Sequence, residues 1–118
     1  DASGRCGKAF LHGGDVADAI CGLLKASVLS YDTYNIAHGT AISLAELSGL
    51  VCQTVGSGSW KVVDETENAD VRGNPERLKG AWGAYDISRL KEDAGWKPRP
   101  LREAIAAYAS WIRENESI

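Results

Sequence analysis

Methionine is absent from the chain. With Asp1 as its first residue, the sequence therefore reads as part of a longer translation product, with something missing upstream. No apolar run approaches the roughly 20 residues that a helix needs to cross a bilayer, which leaves no candidate spanning helix. There is no Cys-x-x-Cys pair either. Cys6, Cys21 and Cys52 are odd in number and no secretory leader precedes them, so they are expected to be reduced thiols of a cytoplasmic protein. Neither they nor His12 and His38 fall at a ligand-pair spacing, which argues against a metal site. A basic stripe is lacking too: the 13 Lys and Arg residues are scattered among 16 Asp and Glu, for a net charge of -3. That argues against nucleic acid as a partner and leaves room for a local phosphate site.

What is present is the composition of an ordinary globular protein, 44% apolar and 25% charged over 118 residues. One domain, 1–118, is expected, able to bury roughly two-thirds of the surface its unfolded form exposes. Residues 9–12 suit a short strand, stopped by Gly13-Gly14. A helix is predicted from near Asp15, with Asp15 as its cap and with Val16, Ile20, Leu23 and Leu24 on one face. Residues 33–37 form a β-prone run between helices and should lie parallel to their neighbours in a βαβ arrangement. Ser43-Leu44-Ala45-Glu46 is a capping box, and Ile42 with Leu47 is its hydrophobic staple. Leu44, Leu47 and Val51 mark the buried face of the helix that follows, and Gly56 its stop. Residues 60–64 alternate enough for a third strand, and 65–83 are polar and aperiodic, a long irregular excursion of the kind that binds something or moves. Asp86-Ile87-Ser88 opens a short helix that closes at Gly95, and a last helix starts near Pro100 with Leu101, Ile105, Tyr108 and Ile112 repeating on one face.

Two motifs about twenty residues apart carry the most information: Phe10-Leu11-His12-Gly13-Gly14-Asp15-Val16-Ala17-Asp18-Ala19-Ile20, and Tyr31-Asp32-Thr33-Tyr34-Asn35-Ile36-Ala37-His38-Gly39. With the capped helix, the long loop, Asp86-Ile87-Ser88-Arg89-Leu90, Gly95-Trp96-Lys97-Pro98 and a final amphipathic helix, their order resembles the C-terminal part of the NAD-dependent epimerase/dehydratase family. These are the extended short-chain dehydrogenase/reductases that act on nucleotide sugars. The likeness runs from Lys8 to Asn115.

The resemblance implies an α/β fold of short, mostly parallel strands with four helices, lacking the main Rossmann half. In the family that half binds NAD or NADP, a Tyr-x-x-x-Lys pair transfers protons, and the C-terminal part closes over the nucleotide-diphosphate sugar. This chain has neither catalytic element. Gly56-Ser57-Gly58-Ser59-Trp60-Lys61 puts Lys61 where the cofactor fingerprint needs its third glycine. The four tyrosines, Tyr31, Tyr34, Tyr85 and Tyr108, are followed four residues later by Asn35, His38, Arg89 and Ile112, so the family's general base is missing as well. Neither catalysis nor a bound cofactor is expected of this chain alone.

Substrate contact is what the resemblance carries over. Lys8-Ala9 stands where the family commonly has Arg-Asp before a Phe-x-His strand, here Phe10 and His12. Lysine keeps the charge that meets a diphosphate but loses the bidentate fork. A second phosphate-binding arginine would be Arg72 or Arg77. Each of these residues also has a plainer reading: Lys8 as a solvated charge, His12 as the holder of a turn, Asp15 and Asp86 as helix caps, and Asn35 as a structural side chain. Trp96 and Trp111 are expected in the core, whereas Trp82, in the polar loop beside Tyr85, is a candidate ligand contact.

The resulting expectation is the nucleotide-sugar-binding portion of an NAD(P)-dependent epimerase or dehydratase, noncatalytic by itself. The alternatives are a free-standing nucleotide-sugar binding module and a noncatalytic scaffold or interaction fragment. Because residues 34–37 would form a sheet edge, the chain is also expected to pair with the missing Rossmann half or to self-associate.

Overall fold

A computed structural model describes residues 7–64, 67–71 and 84–116. Among these residues there are four helices: α1 (Gly13–Lys25), α2 (Leu44–Val55), α3 (Ser88–Ala94) and α4 (Leu101–Asn115).

Helix α1 begins two residues before Asp15, and Asp15 is not its cap. His12 takes that role: its Nδ1 accepts the Gly14 N–H at 2.9 Å. Glycine at 14 leaves room for this, since a Cβ there would sit 3.0 Å from His12 Nδ1 and 3.1 Å from Arg99 Nη2. Asp15 lies instead within the first turn and is only 5% exposed. The start of α2 is as expected. Glu46 N–H donates to Ser43 Oγ at 3.1 Å and Ser43 N–H to Glu46 Oε2 at 2.9 Å, which satisfies two otherwise free donors. Gly56 ends α2 and Gly95 ends α3, both left-handed at φ 77° and 61°. A side chain at either position would be strained, so both stops are written into the sequence.

The expected strands differ from those observed. Among the described residues the only sheet is a two-residue antiparallel ladder, β1 (Gly7–Lys8) with β2 (Ile42–Ser43), pairing Gly7 with Ser43 and Lys8 with Ile42. Residues 9–12, 33–37 and 60–64 form no ladder, and the described residues hold no mostly parallel sheet. The physical reason is that a strand exists only by pairing. β-prone residues at 33–37 supply a conformation, not a neighbour.

The core lies between α1 and α3. Ala19, Ile87, Leu90 and Trp96 are buried together, with Leu11, Leu23, Tyr34, Ile36, Ala37 and Ala94 packed around them. Gly22 allows the two helices to approach, since a Cβ there would come within 3.2 Å of the Ala94 methyl. The second pair, α2 against α4, is thinner: Ala104 is its only buried apolar residue. Leu44 and Val51, expected to be buried, are partly exposed, and so is Tyr108. Trp111, expected in the core, is 57% exposed and stacks on Tyr108 with centroids 6.0 Å apart and planes at 8°. Periodicity marks an apolar stripe correctly but does not supply the surface that covers it. Trp96 is in the core as expected. No helix among the described residues is long and apolar enough to cross a membrane.

This distribution sets the cost of truncation. Leu90→Ala, at a fully buried position, is expected to destabilise the fold by about 3 kcal/mol. Leu24→Ala, at a position 81% exposed, should change stability by less than about 0.5 kcal/mol. Thermal denaturation of the two variants beside the parent chain checks the contrast.

Candidate functional site

Two segments outside the helices line a cleft of about 370 Å³, Ala9 and Leu11 from the first and Tyr34, Asn35, Ile36 and Ala37 from the second, together with Tyr85. The first segment is fixed at both ends, by β1 pairing with β2 and by the His12 cap of α1. Because an extended chain sends alternate side chains to opposite sides, Ala9 and Leu11 line this cleft while Phe10 lines a second cavity of about 290 Å³ with His38, Ile42, Leu50 and Leu101.

The second segment is held by α3. Asp93 accepts the Ser30 N–H at 2.7 Å and the Ser30 hydroxyl at 3.0 Å, and the Tyr34 hydroxyl donates to the same carboxylate. The Tyr34 oxygen in turn accepts the Tyr31 N–H at 3.2 Å. Tyr31 donates its hydroxyl to Glu92 at 2.9 Å, and its ring lies under the Arg89 guanidinium, 4.6 Å from the centroid. Arg89 also donates to the Thr33 carbonyl at 3.3 Å, and Asn35 Nδ2 donates to the Asp86 carbonyl at 3.0 Å.

These contacts set the local electrostatics. The hydroxyl donated by Tyr34, followed by the Ser30 N–H, holds the Asp93 carboxyl below the usual aspartate range. Burial and the bond to Asp93 push the Tyr34 phenol up, and the bond to Glu92 does the same to Tyr31. The Ser88 N–H keeps Asp86 low, but the cap position of α3 is Ile87 and not Asp86, contrary to the expectation from the sequence.

A third junction anchors α1 to the residues before α4. Arg99 Nε donates to Asp15 Oδ1 at 2.8 Å, and Trp96 Nε1 donates to the Asp15 carbonyl at 3.1 Å. Asp15 Oδ2 is buried without a hydrogen-bond partner. The pair joins residues 84 positions apart, which no local sequence pattern reveals.

The candidate residues are thus only partly brought together. Asn35 and Tyr85 meet at the cleft. Lys8 is exposed on β1, at the same strand parity as Phe10, and Phe10 faces the second cavity. His12 caps a helix. Arg72, Arg77 and Trp82 lie outside the described residues. The residues that hold the cleft wall, Ser30, Tyr31, Arg89, Glu92 and Asp93, carry no sequence signal of that role, since the bonds that join residues 30–33 to α3 span 56 to 63 positions. Among the described residues, no three His, Cys, Asp or Glu side chains group as a metal site would require. Cys21 and Cys52 are free thiols, and Cys6 lies outside the described residues.

With this geometry in view, known proteins narrow the class. The chain is 32% identical over 87 residues to dTDP-glucose 4,6-dehydratase of Streptomyces antibioticus, covering 73% of this chain and 24% of that protein. It is 32% identical over 114 residues to an Arabidopsis thaliana protein assigned as GDP-L-fucose synthase 2, covering 96% and 31%. It is 26% identical over 112 residues to dTDP-L-rhamnose 4-epimerase of Burkholderia thailandensis, covering 94% and 28%. No family model matches the chain, and no solved structure matches it significantly. The chain belongs to the NAD-dependent epimerase/dehydratase family, and it spans 24–31% of the length of these three relatives.

Two outcomes follow from the geometry. Arg99→Ala leaves the Asp15 carboxylate, 6% exposed, without its charge partner, and should lower unfolding free energy by roughly 1–3 kcal/mol. Denaturant titration measures it. The Asp93 contribution has a defined pH window: a depressed carboxyl stabilises fully above the ordinary aspartate value of about 3.9 and loses that contribution as pH falls further, through its folded-state value. Asp93→Asn should therefore lose stability relative to the parent at pH 6, with the difference shrinking as pH drops below that range.

Proposed function

We propose that this chain is the portion of an NAD(P)-dependent sugar-nucleotide epimerase, dehydratase or reductase that grips the nucleotide-diphosphate sugar, and that it does not perform the proton or hydride steps by itself. The observation that carries the reading is the coincidence of Asn35 and Tyr85 at one cleft, in a chain whose relatives are named for nucleotide sugars and which lacks both the cofactor fingerprint and a Tyr-x-x-x-Lys pair. Such a segment contributes binding energy and orientation to chemistry carried out elsewhere. Lys8, with Arg72 or Arg77, supplies positive charge for the diphosphate. Asn35 and Tyr85 offer an amide and a ring to the nucleoside or sugar, with Trp82 as a further contact, while Phe10 faces the second cavity and His12 holds the start of α1. NAD or NADP belongs to the complete enzyme.

A second element of the proposal is a protein partner. Residues 33–37 join no ladder among the described residues, several of them border the cleft, and Leu24, Val28 and Leu29 are exposed near the end of α1. Backbone that joins no ladder and uncovered apolar side chains both favour a protein surface over water. The missing Rossmann half is the occupant this reading favours, with a second copy of the chain as its substitute when that half is absent.

Isothermal titration with dTDP-glucose, GDP-fucose and NAD tests the grip. Binding of a nucleotide sugar, weakened by Lys8→Ala and unaccompanied by NAD binding, is the expected result. No heat with any nucleotide sugar would leave only a scaffold or interaction role.

A further inference from the structure

We infer that Asp93 is a positioning residue for the cleft: its carboxylate, by gathering Ser30 and the Tyr34 hydroxyl onto α3, fixes the wall that presents Asn35 to a bound ligand. The functional part of this inference rests on the nucleotide-sugar reading above.

The argument starts from what the wall lacks. A segment is ordinarily held by a helix or by the ladder of a neighbouring strand, and residues 33–37 have neither among the described residues. Their conformation must come from elsewhere. Three donors converge on Asp93, two from Ser30 and one from Tyr34, and hydrogen bonds to an ionised acceptor are about twice as strong as neutral ones. Because Tyr34 is itself a lining residue of the cleft, the Asp93 contact fixes a ring of the wall directly. The same phenolic oxygen receives the Tyr31 N–H, so the turn at 31–34 closes on the side chain that Asp93 holds. Asn35 follows immediately, and its Nδ2 reaches the carbonyl of Asp86, two residues before α3 begins. Asp93 and Asp86 thus hold the two ends of one short stretch, and α3 acts as a rail in place of a strand. Asp93 need not touch the ligand. Its effect passes through Tyr34.

The test is a double-mutant cycle with Asp93→Asn and Tyr34→Phe, read by titration with dTDP-glucose and by the Asn35 side-chain amide signals in ¹⁵N-correlated NMR. Each single variant is expected to weaken binding about 3- to 10-fold, as loss of one such bond implies. The double variant should be no weaker than the worse single one, because both remove the same link. Asp93→Asn should also lower the pH at which one tyrosine ionises, seen as phenolate absorbance, since the bond to Asp93 is among the causes that raise Tyr34. Ser43→Ala, which destabilises the opposite helix pair, controls for mere loss of stability and should leave binding and the Asn35 signals unchanged. Unaltered affinity and unmoved Asn35 signals in Asp93→Asn would overturn the inference, and so would losses that add in the double variant. If the parent chain binds no dTDP-glucose, the nucleotide-sugar reading fails for this probe, and amide exchange at residues 31–36 decides the positioning claim alone. Faster exchange in Asp93→Asn than in Ser43→Ala sustains it, and equal exchange refutes it.

Discussion

The packing of α3 against α1 is the constraint on which the rest depends. Leu90 and Ile87 meet Ala19, Gly22 lets the helices close to the Ala94 methyl, and Trp96 follows the Gly95 turn back to the Asp15 carbonyl. α3 is only seven residues long and could not persist alone in water. Packing makes it rigid enough to serve as a template. Its other side then organises residues 30–35 through Asp93, Glu92, Arg89 and the Asp86 carbonyl. Loosening this one contact would release the core and the cleft wall together.

How much of this was legible in the sequence follows from the range of each interaction. The capping box at Ser43 and Glu46, the glycine stops at Gly56 and Gly95, and the four helices are local, and each was readable from spacing alone. The cap of α1 was misassigned to Asp15 because a histidine cap and an aspartate two or three residues later give similar local patterns. Only the tertiary partners Arg99 and Trp96 show that Asp15 is drawn inward. The strands were misread for a different reason. β-propensity at 33–37 is real, but a ladder needs a second segment, and none of the described residues provides one. Trp111 and Tyr108 lie on a true amphipathic stripe that none of the described residues covers. At the candidate site, Asn35 and Tyr85, candidates from the sequence, line one cleft, whereas Asp93 gives no local signal, since its partners lie 59 and 63 residues away.

These misreadings share a physical cause. Each β-prone run without a ladder and each exposed apolar stripe has no complement among the described residues. A segment that spans 24–31% of its relatives' length should show such a pattern. Its own core holds one helix pair firmly and a second pair thinly. The proposed division of labour is consistent with that structure: the grip on the nucleotide sugar is built here, while the cofactor and the proton-transferring pair belong to the remainder of the enzyme.

Native mass spectrometry across a range of concentrations tests this account most directly. The account predicts species heavier than the 12.6 kDa chain, either a complex with a second polypeptide or a self-association that grows with concentration, as residues 33–37 and the exposed apolar positions find cover. A bare 12.6 kDa monomer at every concentration, with no adduct when dTDP-glucose is added, would contradict both the missing partner and the retained grip.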